Sequence, residues 1–521
     1  MAELPTSEFA RGGCLHDLIR DQAAQHPDAV VILAPERRPL TYSRLYGQVV
    51  NIVDALNSLG IGRNDRVAIV LPNGPEMAAA FVAIGSGATT APLNPAYRAE
   101  EFRFYLNDLS AKALVVEQGS DSPAVAVAGE LGVPVVELIA DDAGPAGAFT
   151  LSGSGSGSGG GAPAQGGPAE PSDVALVLHT SGTTSRPKIV PLSHANVTAS
   201  ARNIAATLAL APQDRCLNVM PLFHIHGLMA AVLASLSAGA SVFCTPGFNA
   251  LKVFAWMEEA RPSWYTAVPT MHQAILARAA RNPDAVKATQ LRLIRSSSSS
   301  LPPQVMAALE ETFGAPVIES YGMTEASHQM ASNPLPPAPR KPGSVGIAAG
   351  PDVRIMDPDG NLLDNGATGE IVIRGENVTG GYEANEKANR ESFTDGWFRT
   401  GDLGVVDEDG YLTISGRIKE IINRGGEKIS PREVDEVLLD HPGVAQVVTF
   451  AVPHDKLGED VAAAIVATEG AVVDAQSIRA FAAERLADMK VPRTILFLEE
   501  IPKGATGKLQ RIGLAEKLGL V

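Results

Sequence analysis

The sequence predicts an α/β protein in which a region of parallel strands is followed by a β-rich subdomain and a small α+β domain. From Val67 to about Tyr321, short apolar runs alternate with helix-length amphipathic stretches, an order typical of parallel sheets covered by helices. After Tyr321 the strands are short and separated by Asp/Gly turns, which indicates a β-rich subdomain. From Pro431 onward, helices and strands alternate again, and this segment is predicted to form the small α+β domain.

The strands of the first region are short runs rich in β-branched and aliphatic residues. They are predicted at Val67–Leu71, Val115–Val116, Val133–Leu138, Val174–Leu178, Leu217–Met220, Ser241–Cys244, Trp264–Val268, Leu291–Arg295 and Pro316–Ser320. The helices between them are predicted at Pro75–Ala88, Leu228–Ser237, Leu251–Ala260, Thr270–Arg281 and Pro302–Phe313. Pro75 suits a first helical turn, where the missing N–H of proline is not needed.

The later elements follow the same rules. The strands are predicted at Val353–Met356, Glu370–Arg374, Tyr411–Ser415, Ala445–Val452, Val461–Thr468 and Thr494–Leu498, and the helices at Pro431–Asp440 and Ala475–Leu486. The segment Ser152–Pro171 breaks the pattern, because it is rich in Gly and Ser and is typical of a flexible surface segment. It is either a domain boundary or a long loop inside one domain, and the strands predicted on both sides favour the loop.

Composition excludes several classes of protein. The chain has 521 residues, of which 45% are hydrophobic, and this excludes a wholly disordered chain. Its 42 basic and 58 acidic residues give a net charge of −16, which argues against general binding to nucleic acid or anionic membranes. Its three cysteines lack the spacing of a disulfide framework or a zinc site. With no apolar leader and no run of about 18 apolar residues, the chain is expected to be a soluble cytoplasmic enzyme.

The strongest local motif is HTSGTTSRPK at His179–Lys188, directly after a predicted strand. Hydroxyls, a glycine and a lysine in one loop, together with backbone N–H groups, supply many donors for phosphate oxygens. The spacing is not that of a Walker A loop. A polar turn with Ser/Thr caps is the alternative interpretation of this segment.

Four further motifs are weak when each is taken alone. YGMTE at Tyr321–Glu325 follows a predicted strand and contains groups that can stack on a base and hold Mg²⁺. Thr400–Asp402 offers a carboxylate for ribose hydroxyls, Gly416–Glu420 precedes the small domain, and Pro502–Lys508 places lysines among glycines. The alternative interpretations are a helix start, a common turn and solvated lysines.

In this combination and order, the five motifs resemble those of the adenylate-forming superfamily of acyl-CoA synthetases, luciferases and peptide-synthetase adenylation domains. The similarity extends from about Ala24 to Arg511. Within the superfamily, oxalate–CoA ligases are the most similar group. The segments that carry this closer resemblance are PLFHIHGL from Pro221, WYTAVPT from Trp264, SNPLP from Ser332, KPGSVG from Lys341, INRGGEKISP from Ile422 and the pair Ser185-Arg186.

The resemblance implies a ligase that uses ATP, Mg²⁺ and CoA, with oxalate as the favoured acid. A carboxylate attacks the α-phosphorus of ATP to give an acyl-adenylate and pyrophosphate, and the CoA thiol then displaces AMP. The resemblance also implies an adenylation domain at residues 1–416, a hinge at 417–420 and a small mobile domain at 421–521. No nucleic-acid or membrane partner is expected, and the chain is expected to be a monomer or a homodimer.

The same resemblance assigns roles to individual residues. Lys508, Thr324 and Glu325 are expected to be catalytic, with Glu325 and Thr184 near the metal and Lys419 at the hinge. The residues expected to bind ATP or AMP are Thr180, Ser181, Gly182, Thr183, Thr184, Lys188, Ser299, Glu319, Ser320, Tyr321, Thr324, Asp402, Arg417, Lys428 and Lys508.

Gly425 and Gly426 are expected to approach CoA. Ile189 is a departure from the superfamily, because relatives have glycine after the lysine of the phosphate loop. Isoleucine is costly at a positive φ, so an ordinary strand backbone is expected at Ile189.

Five serines, Ser296–Ser300, follow a predicted strand where many superfamily members have a Gly/Ala-rich wall of the acyl pocket. A long acyl chain would leave buried hydroxyls unpaired, at about 1–3 kcal/mol each, whereas a short acid with a second carboxylate satisfies them. The residues expected to bind the acid are His224, Ser297, Ser298 and His328. This chemistry favours oxalate.

Several alternatives stay open at this point. The serine run is alternatively a solvated loop, His226 a satisfied residue at a helix start, and Arg295 a partner of an acidic neighbour, while Trp264 and Tyr265 are expected in the core. The alternative functions are a short- or medium-chain fatty acyl-CoA synthetase, an acyl-adenylate donor to a carrier protein, and a non-catalytic adenylate-binding protein. The intact Lys508, Glu325 and Asp402 argue against the last of these.

Overall fold

The computed structural model describes residues 13–153, 162–180, 187–468, 470–502 and 511–521. These residues form two compact units. The larger unit comprises the chain up to Val353 together with Ile373–Gly396, and the smaller unit comprises Arg354–Val372 and Trp397–Val521. The predicted α/β fold, with a large N-terminal domain and a smaller C-terminal domain, is therefore confirmed. The predicted hinge at 417–420 stays a prediction.

The helices begin and end at residues that cap them. Ser193, Ser430 and Asp474 each precede a helix and accept a hydrogen bond from a backbone N–H of its first turn, which satisfies a donor that has no partner inside the helix. The α-helices of the described residues are α1 Leu15–Gln25, α2 Tyr42–Ser58, α3 Pro75–Gly85, α4 Ala99–Leu109, α5 Pro123–Leu131, α6 His194–Thr207, α7 Ala234–Ser237, α8 Val253–Ala260, α9 Pro269–Ala279, α10 Pro283–Ala288, α11 Pro303–Phe313, α12 Glu386–Ser392, α13 Pro431–Leu439, α14 Ala475–Ala483 and α15 Leu514–Lys517.

The strands are short and mostly buried. Those of the described residues are β1 Val30–Leu33, β2 Leu40–Thr41, β3 Arg66–Val70, β4 Thr89–Pro92, β5 Ala113–Glu117, β6 Val135–Ala140, β7 Phe149–Gly153, β8 Val174–Thr180, β9 Lys188–Ser193, β10 Arg215–Asn218, β11 Ser241–Cys244, β12 Trp264–Ala267, β13 Leu293–Ser297, β14 Val317–Met323, β15 His328–Ser332, β16 Ile347–Ala348, β17 Asp352–Met356, β18 Leu362–Leu363, β19 Thr368–Arg374, β20 Phe393–Thr394, β21 Trp397–Val406, β22 Leu412–Arg417, β23 Ile422–Arg424, β24 Glu427–Ile429, β25 Val444–His454, β26 Gly458–Ala467 and β27 Thr494–Phe497.

Two sheets organise the larger unit. The first has the strand order β7-β6-β5-β3-β4-β8-β9, and the second has the order β16-β15-β14-β13-β12-β10-β11-β1-β2. The inner strands of both sheets pair in parallel, and antiparallel strands close their edges. Parallel inner strands covered on both faces are expected to be largely apolar. The first halves of β12 and β13 fit this, with Trp264 and Tyr265 fully buried as predicted, whereas their second halves bury Thr266, Arg295, Ser296 and Ser297.

The smaller unit contains two further sheets. One has the order β18-β17-β19-β21, with β22 paired to β21, and the other has the order β24-β23-β26-β25, with β27 beside β26. Helices α13 and α14 cover the second sheet and bury an apolar cluster against it. The strands predicted at Val353–Met356, Glu370–Arg374 and Tyr411–Ser415 take part in the first of these sheets, whereas β15 and β16, which also follow Tyr321, belong to the second sheet of the larger unit.

The predicted elements differ from the observed ones mainly at their ends. The helix predicted at Leu228–Ser237 begins two residues earlier, as a π-helix at His226–Leu233 that continues into α7. The loop predicted from Ser152 begins later, because Ser152 and Gly153 belong to β7, and residues 154–161 of that segment lie outside the described residues. Within the described residues, no helix combines the length and apolarity needed to span a bilayer.

Candidate active site

Three of the predicted acid-binding residues, Ser297, Ser298 and His328, lie at the ends of β13 and β14. Strands β12, β13 and β14 run in parallel, with Thr266 paired to Arg295 and Ser297 paired to Ser320. Because the carboxyl ends of parallel strands meet at one edge, the side chains that follow them lie close together. Ligand sites of α/β proteins are found at such edges.

The serine run is partly inside the sheet. Ser296 and Ser297 are fully buried, because β13 extends to Ser297, two residues beyond the predicted strand end. The interpretation of the run as a solvated loop is therefore wrong for these two serines. The Ser297 hydroxyl donates to the carbonyl oxygen of Ser320 at 2.9 Å, whereas Ser299 is exposed and donates to the carbonyl oxygen of Ser298 at 2.9 Å.

His226 connects the π-helix to the serine run. Its ring is buried, with Nδ1 3.0 Å from Ser298 Oγ and Nε2 2.6 Å from Thr266 Oγ1. His226 does begin a helix, as predicted. The sequence interpretation of a satisfied helix-start residue missed that its ring contacts one of the predicted substrate-binding serines.

Arg295 is the largest departure from expectation. The side chain is fully buried, and its Nη1 lies 3.2 Å from His328 Nε2 and 3.5 Å from His226 Nε2, while Nη2 donates to Gln329 Oε1 at 3.2 Å. Among the described residues, Arg295 has no carboxylate partner, so the expected acidic neighbour is wrong. Burial lowers the pKa of the Arg295 guanidinium to about 9, which leaves it charged at neutral pH.

His328 is held in an uncommon backbone conformation. Its φ is +97°, a region that residues other than glycine rarely adopt. The neighbouring strand must accommodate it at Gly322, where an added Cβ would lie 1.9 Å from the carbonyl oxygen of His328. The imidazoles of His328 and His226 are stacked, with centroids 4.9 Å apart. His224 is partly exposed, and its ring lies beside that of Phe223 with centroids 4.6 Å apart.

The YGMTE motif lies where β14 passes into a 3₁₀ turn at Thr324–Ala326. Glu325 is 5% exposed and accepts a hydrogen bond from Tyr382 Oη at 2.8 Å. Burial and the Glu325 carboxylate raise the pKa of Tyr382, so its phenol stays protonated and donates. Lys188 Nζ lies 4.2 Å from the centroid of the same ring, so Tyr382, which the sequence interpretation missed, joins the lysine and the carboxylate of two predicted motifs.

The residues before the YGMTE turn are buried. Glu319 accepts a hydrogen bond from the backbone N–H of Leu301 at 2.9 Å, and Ser320 donates to the carbonyl oxygen of Ser296 at 3.3 Å. Tyr321 is also buried. Their polar groups fix the end of β14 against the end of β13.

The phosphate-loop motif is described only at its two ends. Thr180 ends β8 and pairs with Lys188, which begins β9, and Ile189 pairs with His179. Ile189 has ordinary strand backbone, as expected, since it is absent from the positive-φ residues. Ser181, Gly182, Thr183 and Thr184 lie outside the described residues, as does Lys508.

In the smaller unit, Asp402 and Arg417 are opposite each other on β21 and β22. Arg417 Nε lies 3.2 Å from Asp402 Oδ1, and Asp402 is buried while Arg417 is half exposed. Lys419 is exposed in a 3₁₀ turn.

Gly425 and Gly426 form the turn between β23 and β24. Their φ values are +62° and +97°, as a two-residue hairpin with two positive φ angles requires. Lys428 is exposed on β24, opposite Asn423.

Comparison with known proteins gives two family matches. Residues 19–383 match the family described as AMP-binding enzyme. Residues 433–508 match the family described as AMP-binding enzyme C-terminal domain. The two matches follow each other in the order that the sequence motifs predict.

Individual relatives match over nearly the full length. A probable CoA ligase from Humulus lupulus is 46% identical, with 96% of each chain covered. An oxalate–CoA ligase from Arabidopsis thaliana is 45% identical, with 95% of this chain and 97% of the relative covered. A crystal structure of ATP-bound MatB from Rhodopseudomonas palustris superposes with a TM-score of 0.84 at 29% identity, covering 96% of this chain and 98% of the other.

Proposed function

Since the chain belongs to the AMP-binding enzyme family, we propose that it is an ATP-dependent acid–CoA ligase whose acid is oxalate. The reaction has two steps, formation of an acyl-adenylate with release of pyrophosphate, and displacement of AMP by the CoA thiol. The observation that carries the choice of acid is the buried Arg295. It lies near two histidines at the carboxyl ends of the parallel strands and has no carboxylate partner among the described residues.

A fatty acyl chain suits these carboxyl ends poorly. Burying an apolar tail against Arg295, His226 and His328 would leave a desolvated cation with no anion, and such burial is costly. A second carboxylate on the acid supplies the missing negative charge. Oxalate carries that charge on the shortest possible skeleton, and a relative that is 45% identical is named as an oxalate–CoA ligase.

The proposed nucleotide-binding residues follow from the motifs of the family. Tyr321 stacks on adenine, Asp402 accepts the ribose hydroxyls beside Arg417, and Lys188 and residues 180–184 contact the phosphates. Lys508 neutralises the charge that develops between the attacking carboxylate and the α-phosphate. Positioning and neutralisation of charge are the main contributions that a protein makes to phosphoryl chemistry.

The proposed metal site fits Mg²⁺. Among the described residues, no group of three or more His, Cys, Asp or Glu side chains converges, but Mg²⁺ is commonly bound by one or two carboxylates together with substrate phosphates. Glu325 is a buried carboxylate oriented by the Tyr382 phenol. We propose that Glu325 and Thr184 hold Mg²⁺, which would neutralise phosphate charge.

The proposed domain arrangement is an adenylation domain at residues 1–416, a hinge at 417–420 around Lys419, and a mobile domain at 421–521. The hairpin turn of Gly425 and Gly426 would approach CoA in the second step. Exposed glycines at a turn are compatible with close approach of a ligand to the backbone.

The test is CoA-dependent pyrophosphate release with oxalate, acetate, malonate and octanoate compared side by side. We expect oxalate to give the highest kcat/KM, and we expect His224→Ala and Ser298→Ala to lower it by about tenfold or more, as loss of a hydrogen bond to a charged group does. A preference for octanoate would overturn the choice of oxalate and leave the ligase assignment. Turnover only with a carrier protein in place of CoA would overturn the choice of thiol.

A further inference from the structure

We propose that Arg295 determines which ring nitrogen of His226 and of His328 carries the proton. The acid-binding site then presents only hydrogen-bond donors to the ligand and selects acids with a second carboxylate. Arg295 is a positioning residue here, because it acts through the two imidazoles. The inference rests on the proposed function, and it concerns which acids the enzyme accepts.

The contacts of Arg295 are all with groups that accept hydrogen bonds. A guanidinium has five N–H donors and no acceptor. Its Nη1 lies 3.4 Å from Thr266 Oγ1, 3.2 Å from His328 Nε2 and 3.5 Å from His226 Nε2, and its Nη2 donates to the amide oxygen of Gln329. Nη1 has two hydrogens, and the two nearest of these atoms, His328 Nε2 and Thr266 Oγ1, take them and must each present a lone pair.

This requirement determines the tautomer of both histidines. A neutral imidazole carries its proton on one nitrogen only, so an Nε2 that accepts leaves the proton on Nδ1. A ring that carried protons on both nitrogens would place a second positive charge beside Arg295. If both rings were charged, they would also repel each other, because their centroids are 4.9 Å apart. Thr266 transmits the same polarity, since its hydroxyl accepts from Arg295 and donates to His226 Nε2 at 2.6 Å.

The polarity continues to Ser298. His226 Nδ1 lies 3.0 Å from Ser298 Oγ, and a protonated Nδ1 makes this hydroxyl the acceptor. The hydrogen of the Ser298 hydroxyl is then available to donate outward, and among the described residues no acceptor takes it. A chain of oriented donors therefore runs from Arg295 through Thr266 and His226 to Ser298, and Ser298 is only partly buried.

The backbone holds the ends of this network in place. Ser298 has a φ of +73° and His328 has a φ of +97°. Both values cost conformational energy in residues other than glycine, and such strain persists only where the surroundings hold it. Both residues belong to the predicted acid-binding set, so the strained positions and the oriented donors coincide.

A site that presents only hydrogen-bond donors distinguishes a carboxylate from the corresponding amide. Both oxygens of a carboxylate accept hydrogen bonds, whereas an amide presents one oxygen and one NH₂ group, which opposes an N–H or O–H donor. Oxamate, in which an amide replaces one carboxylate of oxalate, is therefore the matched probe. It preserves the size of oxalate and removes one charge and one acceptor.

The experiment measures kcat/KM for oxalate and oxamate in the wild-type enzyme, Arg295→Met, Arg295→Lys and Thr266→Val. We expect the oxalate-to-oxamate ratio to fall at least tenfold in Arg295→Met, mainly through a higher KM for oxalate, because the rings become free to rotate and to change tautomer. Arg295→Lys should recover part of the ratio, since it restores the charge. Thr266→Val removes only the hydroxyl between Arg295 and His226 and should lower the ratio about threefold.

Arg292→Met is the control. Arg292 lies three residues earlier and pairs with Asp214 at 2.9 Å, so its loss should change stability and leave the ratio unchanged. An unchanged ratio in Arg295→Met, with oxalate still used by the wild-type enzyme, overturns this inference alone. If Arg295→Met does not fold, an unchanged ratio in Thr266→Val overturns it. A wild-type enzyme that prefers a monocarboxylic acid overturns the proposed function and this inference together.

Discussion

Three neighbouring parallel strands, β10, β12 and β13, differ at their two ends in whether a buried charged side chain has a partner of opposite charge. At the amino ends, Asp214, Ser263 and Arg292 each stand immediately before a strand and bind one another. At the carboxyl ends, Thr266 and Arg295 belong to β12 and β13. Arg295 contacts hydroxyl, imidazole and amide groups there, and among the described residues it has no carboxylate partner. One end is balanced in charge, and the other carries an excess of one positive charge.

The amino ends form a closed network. Asp214 Oδ1 accepts from Ser263 Oγ at 2.7 Å and from Arg292 Nε at 3.1 Å, and Oδ2 accepts from Arg292 Nη2 and from the backbone N–H of Ala211, both at 2.9 Å. Every lone pair of the buried carboxylate is used, and its charge is compensated. Such a network can stabilise the sheet, but it leaves no lone pair of Asp214 and no uncompensated charge for a ligand to bind.

The carboxyl ends are different, because burying a cation without an anionic partner lowers the stability of a fold. Open α/β sheets place ligands at this end, and an anionic ligand would complete the balance that the protein leaves incomplete. The difference between Arg292, immediately before β13, and Arg295, within it, therefore separates a residue that serves folding from one that serves recognition.

The largest expected effect comes from balancing the charge at the carboxyl ends. Gln329→Glu replaces the amide that Arg295 contacts at 3.2 Å with a carboxylate of the same shape. For a separation of about 6 Å and an effective dielectric constant near 20, a negative charge opposes binding of an anion by about 3 kcal/mol, so we expect roughly a hundredfold rise in KM for oxalate. Steady-state kinetics with oxalate and with ATP measure this.

The KM for ATP is the internal control for Gln329→Glu, and it should stay within about twofold of the wild-type value. A variant with an unchanged KM for oxalate would contradict the view that the excess charge serves the acid. Circular dichroism melting would show whether the new carboxylate disturbs the fold, since Gln329 also donates to the carbonyl oxygen of Ala349.

The second expected effect comes from removing the negative charge that compensates Arg292 at the amino ends. Asp214→Asn keeps the shape of the side chain but leaves Arg292 without a charged partner. Arg292 is 36% exposed, so solvent screens part of the loss, and we expect the free energy of unfolding to fall by about 2–3 kcal/mol. Urea unfolding measures the loss, while kcat/KM per folded molecule should stay at the wild-type value. A loss of activity without a loss of stability would contradict the division between the two ends.

The sequence predicts the strands that carry both networks, but not the networks themselves. Leu291–Arg295 is predicted as a strand and Arg295 as the partner of an acid, whereas the acid belongs to Arg292, and Asp214 lies 78 positions away in the sequence. Only the register of β10, β12 and β13 decides which arginine meets Asp214. The end of β13 is predicted two residues too early for a related reason, because serine is common in turns and only its neighbours in the sheet show that the strand extends through Ser297.

The third expected effect is a pH dependence of stability that arises from buried histidines near these strands. Burial lowers the pKa of His272 to about 3 and that of His194 to about 4, whereas an unfolded histidine titrates near 6.5. Between those values the unfolded chain binds more protons, so stability is lost as the pH falls below about 6.5. Each histidine should contribute about 2 kcal/mol of this loss at pH 5.

His272 follows β12, and its Nδ1 lies 3.2 Å from Tyr265 Oη. His272→Gln removes the titration, so the difference in the free energy of unfolding between pH 7.5 and pH 5 should shrink by about 2 kcal/mol. Denaturant unfolding at the two pH values measures it. A difference equal to that of the wild-type protein would mean that His272 is not kept neutral and that the carboxyl ends carry more charge than Arg295 alone.

The smallest expected effect extends the comparison to β14, where the charge that follows the strand is negative. Glu325 is oriented by the Tyr382 phenol, and the same ring lies beneath Lys188. Tyr382→Phe removes the hydrogen bond and keeps the ring, so it should weaken the binding of Mg²⁺ by about 1 kcal/mol, or about fivefold in the half-saturating Mg²⁺ concentration. Tyr382→Leu removes the ring as well and should also raise the KM for ATP. If Tyr382→Phe has the Mg²⁺ dependence of the wild-type enzyme while Tyr382→Leu does not, the ring acts through Lys188 alone, and Glu325 keeps its orientation by other contacts.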